Sequence, residues 1–193
     1  ATLSTETGEA VVRFDPRKPG YERWAILKGT TSPDLILAVN EWMQEPAPDG
    51  RLFPDDLRPS IGGELDWRAI DGWWVASFRP KQSANDGEFD SWIASHLYGR
   101  AWIDPETNAL SRIAYWAPRP FDAPDEGRVE TLDQAWDFAY APEFGASYAV
   151  SWRIRAEGST ALQPMRRSMT VTLSDIVLFD ARNPAMAGSG TMP

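Results

Sequence analysis

The sequence predicts a mainly β protein: a curved antiparallel sheet or unclosed β-barrel of about 9–11 strands, with one or two helices packed in its concave side. Three observations lead there. Short alternating segments recur along the 193 residues, most of them joined by hairpin-type turns. The crossover helices that parallel βαβ units require are missing. The aromatic load is heavy, with ten Trp and eight Phe, and aromatics fall on both faces of the best-defined hairpin. A sheet with aromatics on both faces must be covered on both, or must hold something.

The chain reads as a single domain, 1–193, with residues 1–8 and 183–193 as disordered tails: the first stretch is small and polar, and the second is poor in large apolar residues. Ala10 to Phe14 and Trp24 to Lys28 alternate as strands around the Pro- and Gly-containing loop from Asp15 to Gly20. Ser32 to Met43 is the best helix. Ser32 suits the cap, Pro33 the first helical position, and Asp34 complements the helix dipole. Leu35, Ala38, Val39, Trp42 and Met43 recur at helical spacing and form one apolar stripe. The run Glu45-Pro46-Ala47-Pro48-Asp49-Gly50 stops the helix and opens an irregular connection over 44–62, of the length often found in lids and site rims.

Glu64 to Ile70 and Trp73 to Arg79 form the next strand pair, joined at Asp71-Gly72, a dipeptide that favours the tight turn of a two-residue hairpin. Pro80 to Gly87 is a polar loop, and Phe89 to Ser95 fits either a short helix or a strand. The hairpin from Leu97 to Phe121 turns at Asp104-Pro105-Glu106-Thr107-Asn108, where Pro105 presets φ and Asn108 tolerates the left-handed conformation. On its first arm Leu97, Gly99, Ala101 and Ile103 oppose Tyr98, Arg100 and Trp102; on its second, Leu110, Arg112, Ala114 and Trp116 oppose Ser111, Ile113 and Tyr115. Arg128 to Tyr140, Ser147 to Ala156 and Met165 to Phe179 complete the sheet.

Composition narrows the function. A net charge of −9 disfavours nucleic acid, whose phosphates need a basic surface, and disfavours simple adhesion to anionic membranes. No apolar run approaches the roughly 20 residues a spanning helix needs. With no cysteine, thiolate nucleophiles, disulfides and cysteine-ligated metals are ruled out. Ala1 in place of Met fits a mature N-terminus left by a removed signal peptide, or a trimmed end.

Arg13-Phe14-Asp15-Pro16, then Glu22 to Leu27, Trp74 to Lys81 and Leu97 to Asp104, followed by Ala117-Pro118-Arg119-Pro120-Phe121 and Thr172 to Ile176, stand in an order that resembles the LolA/LolB-like lipoprotein-sorting and carrier superfamily of Gram-negative bacteria. The likeness spans most of residues 10–178 and rests on short strand motifs. It implies an unclosed barrel with helices lidding an apolar cavity, a periplasmic location, acyl chains of lipids or lipoproteins as ligand, an envelope protein as a further partner, and neither catalysis nor a cofactor. The carrier's lid-latching arginine and the receptor's protruding apolar loop have no counterpart here that can be placed.

An acyl chain offers no polar handle, so its site needs broad, stiff apolar walls, each buried methylene contributing about 0.8 kcal/mol. The candidate walls are Trp24, Ile26, Trp67, Phe78, Trp102, Trp116 and Trp152 from strands, with Leu35, Val39 and Trp42 from the helix. Taken singly, each is an ordinary core residue; only their number argues for a cavity. Two rival classes stand beside this reading. One is an envelope interaction module whose aromatic faces bury against a partner. The other is a carbohydrate-binding or glycoside-active β protein using carboxylates such as Glu64, Asp66, Glu88 and Asp90. His96, the sole histidine, has no orienting carboxylate at a telling spacing and reads as structural or surface. Asp122 to Glu126 reads as a solvated acidic loop, and Arg153, Arg155, Arg166 and Arg167 as partners of neighbouring acids.

Overall fold

Period-two alternation carries through almost the whole chain, and each strand pairs antiparallel with its neighbours. The computed structural model describes residues 1–44, 53–81, 92–123, 127–160 and 163–178. Its strands are β1 (Thr2–Thr5), β2 (Gly8–Phe14), β3 (Trp24–Lys28), β4 (Asp66–Ile70), β5 (Trp73–Phe78), β6 (Tyr98–Ile103), β7 (Leu110–Trp116), β8 (Phe121–Asp122), β9 (Arg128–Ala141), β10 (Ala146–Ser159) and β11 (Pro164–Thr172); α1 spans Pro33–Gln44 and α2 spans Pro54–Leu57. They form one 11-stranded sheet in the order β3-β2-β1-β11-β10-β9-β7-β6-β5-β4, with β8 added on β9. β3 and β4 are its two free edges, so the sheet is unclosed.

Local chemistry sets the turns. Asp71 (φ 50°) and Gly72 (φ 85°) both take the left-handed conformation of the tight hairpin turn, and Asn108 (φ 56°) does the same at the β6–β7 turn. Asp104 organises that second turn: its carboxylate accepts from the Glu106 N–H at 2.8 Å. In the β2–β3 loop Asp15 accepts two hydrogen bonds from the Arg17 side chain, at 2.8 and 2.9 Å, and this holds its carboxyl well below the usual range, at about 2. Ser32 precedes α1, where its carbonyl accepts from Ile36 N–H and its hydroxyl shares a 2.7 Å hydrogen bond with Thr7.

Register assigns every side chain to a face, because directly opposed residues in an antiparallel pair point the same way. One row of partners runs Trp67–Ala76–Ala101–Ile113–Trp136–Trp152–Val171–Leu3–Ala10, from β4 across to β2. A second, Phe78–Gly99–Tyr115–Gln134–Ile154–Met169, lies on the same side. This inner face carries the core as two clusters. One gathers Phe78, Ile113, Tyr115, Trp136 and Phe138 with Leu57 of α2. The other gathers Leu3, Val12, Trp24, Met169 and Val171 under Leu35, Ala38 and Val39 of α1. Trp152, Ile154 and Leu173 touch both clusters and form the seam between them.

Three sequence expectations need correction. Residues 1–8 are no frayed end: β1 lies between β2 and β11, and Leu3 is wholly buried. A single apolar residue among β-tolerant threonines sufficed for a strand, because its neighbours supply the rest of the core. Within 44–62, α2 and a 3-10 turn at Arg58–Ser60 form where an irregular connection was expected, and Leu57 anchors them in the core. The last strand ends at Thr172, short of Phe179. Residues 92–94 are helical, which settles the described part of the 89–95 ambiguity. The proposed tail 183–193, the proline-rich stretch 45–52 and most of the 80–87 loop lie outside the described residues.

Candidate functional site

The sequence-predicted wall residues divide between the two faces. Trp24, Phe78, Trp67 and Trp152 lie on the inner face by register, as does Ile26, opposite Val12. Leu35 and Val39 of α1 are buried on that face, and Trp42 packs there with its ring 6.0 Å from Trp24. These residues do not all enclose a space. Leu35, Val39, Trp24 and Phe78 are packed core, whereas Ile26 (51% exposed) and Trp67 (50%) stand open at the two edges of the sheet. Trp74, unpredicted, stands beside Trp67 on the same face at 48% exposure.

Trp102 and Trp116 are a correction: they project from the opposite face. The row of Trp102 reads Arg68–Val75–Trp102–Arg112–Asp137–Ser151, and Trp116, four residues beyond Arg112 on the same side, stands opposite Tyr98. There the aromatics are covered by guanidinium groups. Arg100 lies 5.8 Å from the Trp102 ring and 5.5 Å from Trp116; Arg112 lies 5.4 Å from Trp102. Tyr98 stacks on Trp116 at 6.0 Å. Ala114, opposite Arg100, leaves room for the flat guanidinium. Stacked arginines thus half-bury aromatics that a second layer would otherwise have to cover. The two-sided aromatic pattern therefore has a local cause on its outer side and needs no cavity there.

Buried polar atoms without partners mark where the packing is chemically incomplete. Among the described residues these are Nε of Arg100 and of Arg112 on the outer face, and the indole Nε1 of Trp152 on the inner face. The Trp152 N–H sits in the seam between the two core clusters, next to Trp136 (ring centroids 6.2 Å apart) and with no acceptor among the described residues.

A cavity of about 550 Å³ opens elsewhere, at the end of the sheet where β5 leaves and β6 begins. Arg79, Pro80, Ala94, Ser95, His96, Tyr98, Pro118, Arg119 and Phe121 line it, none of them a predicted wall residue. The Arg79 guanidinium lies 3.4 Å above the Tyr98 ring centroid, donates from Nη1 to the Leu97 carbonyl and from Nη2 to the Tyr98 hydroxyl. His96 stacks flat on Phe121 at 4.4 Å, with Trp92 edge-on at 5.3 Å. The sequence flagged His96 only as a lone histidine. The signal it lacked is spatial, since segments near residues 79, 96 and 119 converge only in the folded sheet.

Of the carboxylates weighed for glycoside chemistry, Asp66 is engaged by Arg68 at 2.9 Å, Glu64 is exposed, and Glu88 and Asp90 lie outside the described residues. Asp122 pairs with Arg128 at 2.8 Å. No group of three or more His, Asp or Glu residues is placed to hold a metal ion among the described residues. Arg155 pairs with Glu157, and Arg166 with Glu6, each at 2.9 Å, as expected of basic residues balancing nearby acids. No helix among the described residues is long and apolar enough to cross a membrane. The chain matches no family model, no curated protein and no solved structure.

Proposed function

We propose that this chain is a non-enzymatic binding protein of the periplasm that holds acyl chains of a lipid or lipoprotein against the inner face of its sheet, in the manner of LolA/LolB-like carriers. The observation that carries the reading is the Trp152 indole N–H, buried without an acceptor in the seam between two apolar clusters. A seam is where packing can part with least loss, because the contacts within each cluster survive. An acyl chain lying in it would gain apolar contact along its length, and an ester carbonyl would supply the acceptor that the indole lacks. The exposed edge aromatics Trp67 and Trp74 extend apolar surface beyond the buried core of that face.

The experiment compares the two faces. A fluorescent fatty acid is titrated into the protein, into Trp42→Asp and into Trp102→Ala. Trp42 flanks the inner cluster beside Trp24, so a carboxylate there is expected to weaken binding by on the order of tenfold or more. Trp102, on the outer face, should leave affinity unchanged. Equal affinity in a cooperatively folded Trp42→Asp variant would reject the inner-face assignment.

A second reading has its own support. All five residues of edge strand β4 are exposed, and Trp67, Ile70, Trp73 and Trp74 of the β4–β5 hairpin present apolar surface beside a strand edge with no further strand paired to it among the described residues. Such an edge can accept a strand from a protein partner. Native mass spectrometry of the gently purified protein separates the two: a co-purifying lipid favours the first, a stoichiometric protein complex the second.

A further inference from the structure

From the cavity at the sheet end we infer a binding site for a phosphate ester. The site shares no residue with the inner-face rows, so it stands or falls independently of the acyl reading.

Charge is the first argument. The chain carries 28 acidic residues against 19 basic ones, yet among the described residues the lining holds Arg79, Arg119 and His96 and no carboxylate. A cationic recess in so acidic a surface focuses field lines and draws anions to it. Preorganisation is the second. Arg79 is clamped by the Tyr98 ring, the Tyr98 hydroxyl and the Leu97 carbonyl, so it loses little freedom on binding. Its guanidinium carries five N–H donors, more than these two acceptors use. His96 is likewise fixed flat on Phe121, and neither of its ring nitrogens has a hydrogen-bond partner among the described residues. Arg119 has no ion-pair partner among them.

The donor set selects the anion. Two guanidinium groups, which pair with phosphate through parallel N–H donors, and the Tyr98 hydroxyl, which accepts from Arg79 and keeps its own proton to donate, suit an oxyanion with several acceptor oxygens. Size selects what is attached to it. About 550 Å³ exceeds what a bare inorganic anion fills, and Pro80, Pro118 and Phe121 offer the organic part an apolar wall. A phospholipid headgroup and a soluble organic phosphate share this chemistry.

Calorimetric titration with inorganic phosphate, sn-glycerol 3-phosphate and the short-chain soluble phospholipid dihexanoyl phosphatidylglycerol tests the site, on the full chain. Binding of glycerol phosphate identifies a soluble ester as sufficient; binding of the phospholipid alone identifies a headgroup; either supports the site. Arg119→Gln, an exposed substitution, and Arg79→Gln should each weaken the bound ester at least tenfold, while Arg79→Lys, which keeps the charge but not the fork, should recover part of the loss. If Arg79→Gln disturbs the fold, ester-induced shifts of the His96 ring resonances in the unaltered protein decide instead. No ester binding, shifts confined to residues elsewhere, affinity indifferent to Arg119→Gln, or inorganic phosphate binding as tightly as its esters (an adventitious ion only) would each overturn the proposal.

Discussion

Trp136→Ala is expected to lower the melting temperature by roughly 6–20 °C, since a buried Trp→Ala change costs about 3–5 kcal/mol and each kcal/mol shifts a domain of this size by about 2–4 °C. Trp136 stands in the middle of the inner row, opposite Ile113 on one neighbouring strand and Trp152 on the other. Its ring meets Tyr115 edge-on at 5.9 Å, and Tyr115 in turn meets Phe78 edge-on at 5.9 Å. Truncation opens a hole beneath a chain of interlocked rings on strands paired from both sides, where backbone movement cannot close it. Differential scanning calorimetry checks the value. A shift below about 2 °C would mean that the inner face is already loosely packed there, contrary to the account.

Gly99→Val should be nearly as damaging, and for the opposite reason. Phe78, on β5, folds its ring across its β6 partner Gly99, and a Cβ at position 99 would fall inside the van der Waals envelope of Phe78 Cε2 and Cζ. Phe78 is buried against Tyr115 and cannot step aside without losing that contact. Overpacking of this kind costs typically 1–3 kcal/mol, and more where, as here, a large ring must be displaced from the core. The decisive measurement is a double-mutant cycle with Phe78→Leu. If the ring is the obstacle, the two changes are non-additive by about 1 kcal/mol or more, the pair being less harmful than the sum. Strict additivity would show that Gly99 is needed for its backbone and not for the ring above it.

How much of this was written in the chain depends on how local each feature is. The Asp71-Gly72 turn, the β6–β7 hairpin and α1 rest on contacts within a few residues, and each formed where turn chemistry and apolar spacing placed it. The alternation along Tyr98–Ile103 and Leu110–Trp116 was legible too, Gly99, Ala101, Ile113 and Tyr115 sharing the buried side. What alternation could not say is which side faces α1. That choice is fixed by the register of strands between β7 and β2, and it sent Trp102 and Trp116 to the face opposite Trp24 and Phe78. Their large size suggested a wall; Arg100, two residues from Trp102 on the same strand, and Arg112, opposite Trp102 on the paired strand, were the available sign of an outer stacked ladder. β1 was hidden for a related reason. Leu3 alone gives no periodicity, and its strand exists because β2 and β11 supply hydrogen bonds on both sides. The cavity at Arg79, His96 and Arg119 joins residues whose sequence neighbours suggest only loop ends, so its cationic lining emerges with the fold.

The acyl-carrier reading turns on whether an aliphatic ligand reaches the parting line between the α1 cluster and its neighbour. The most direct measurement is the amide and indole N–H spectrum of isotopically labelled protein with palmitate added. The Trp152 Nε1–H resonance is expected to move and to show cross-relaxation with ligand methylene protons, while the Trp102 and Trp116 indoles stay in place. Palmitate that shifts only outer-face indoles, or none, would contradict the account.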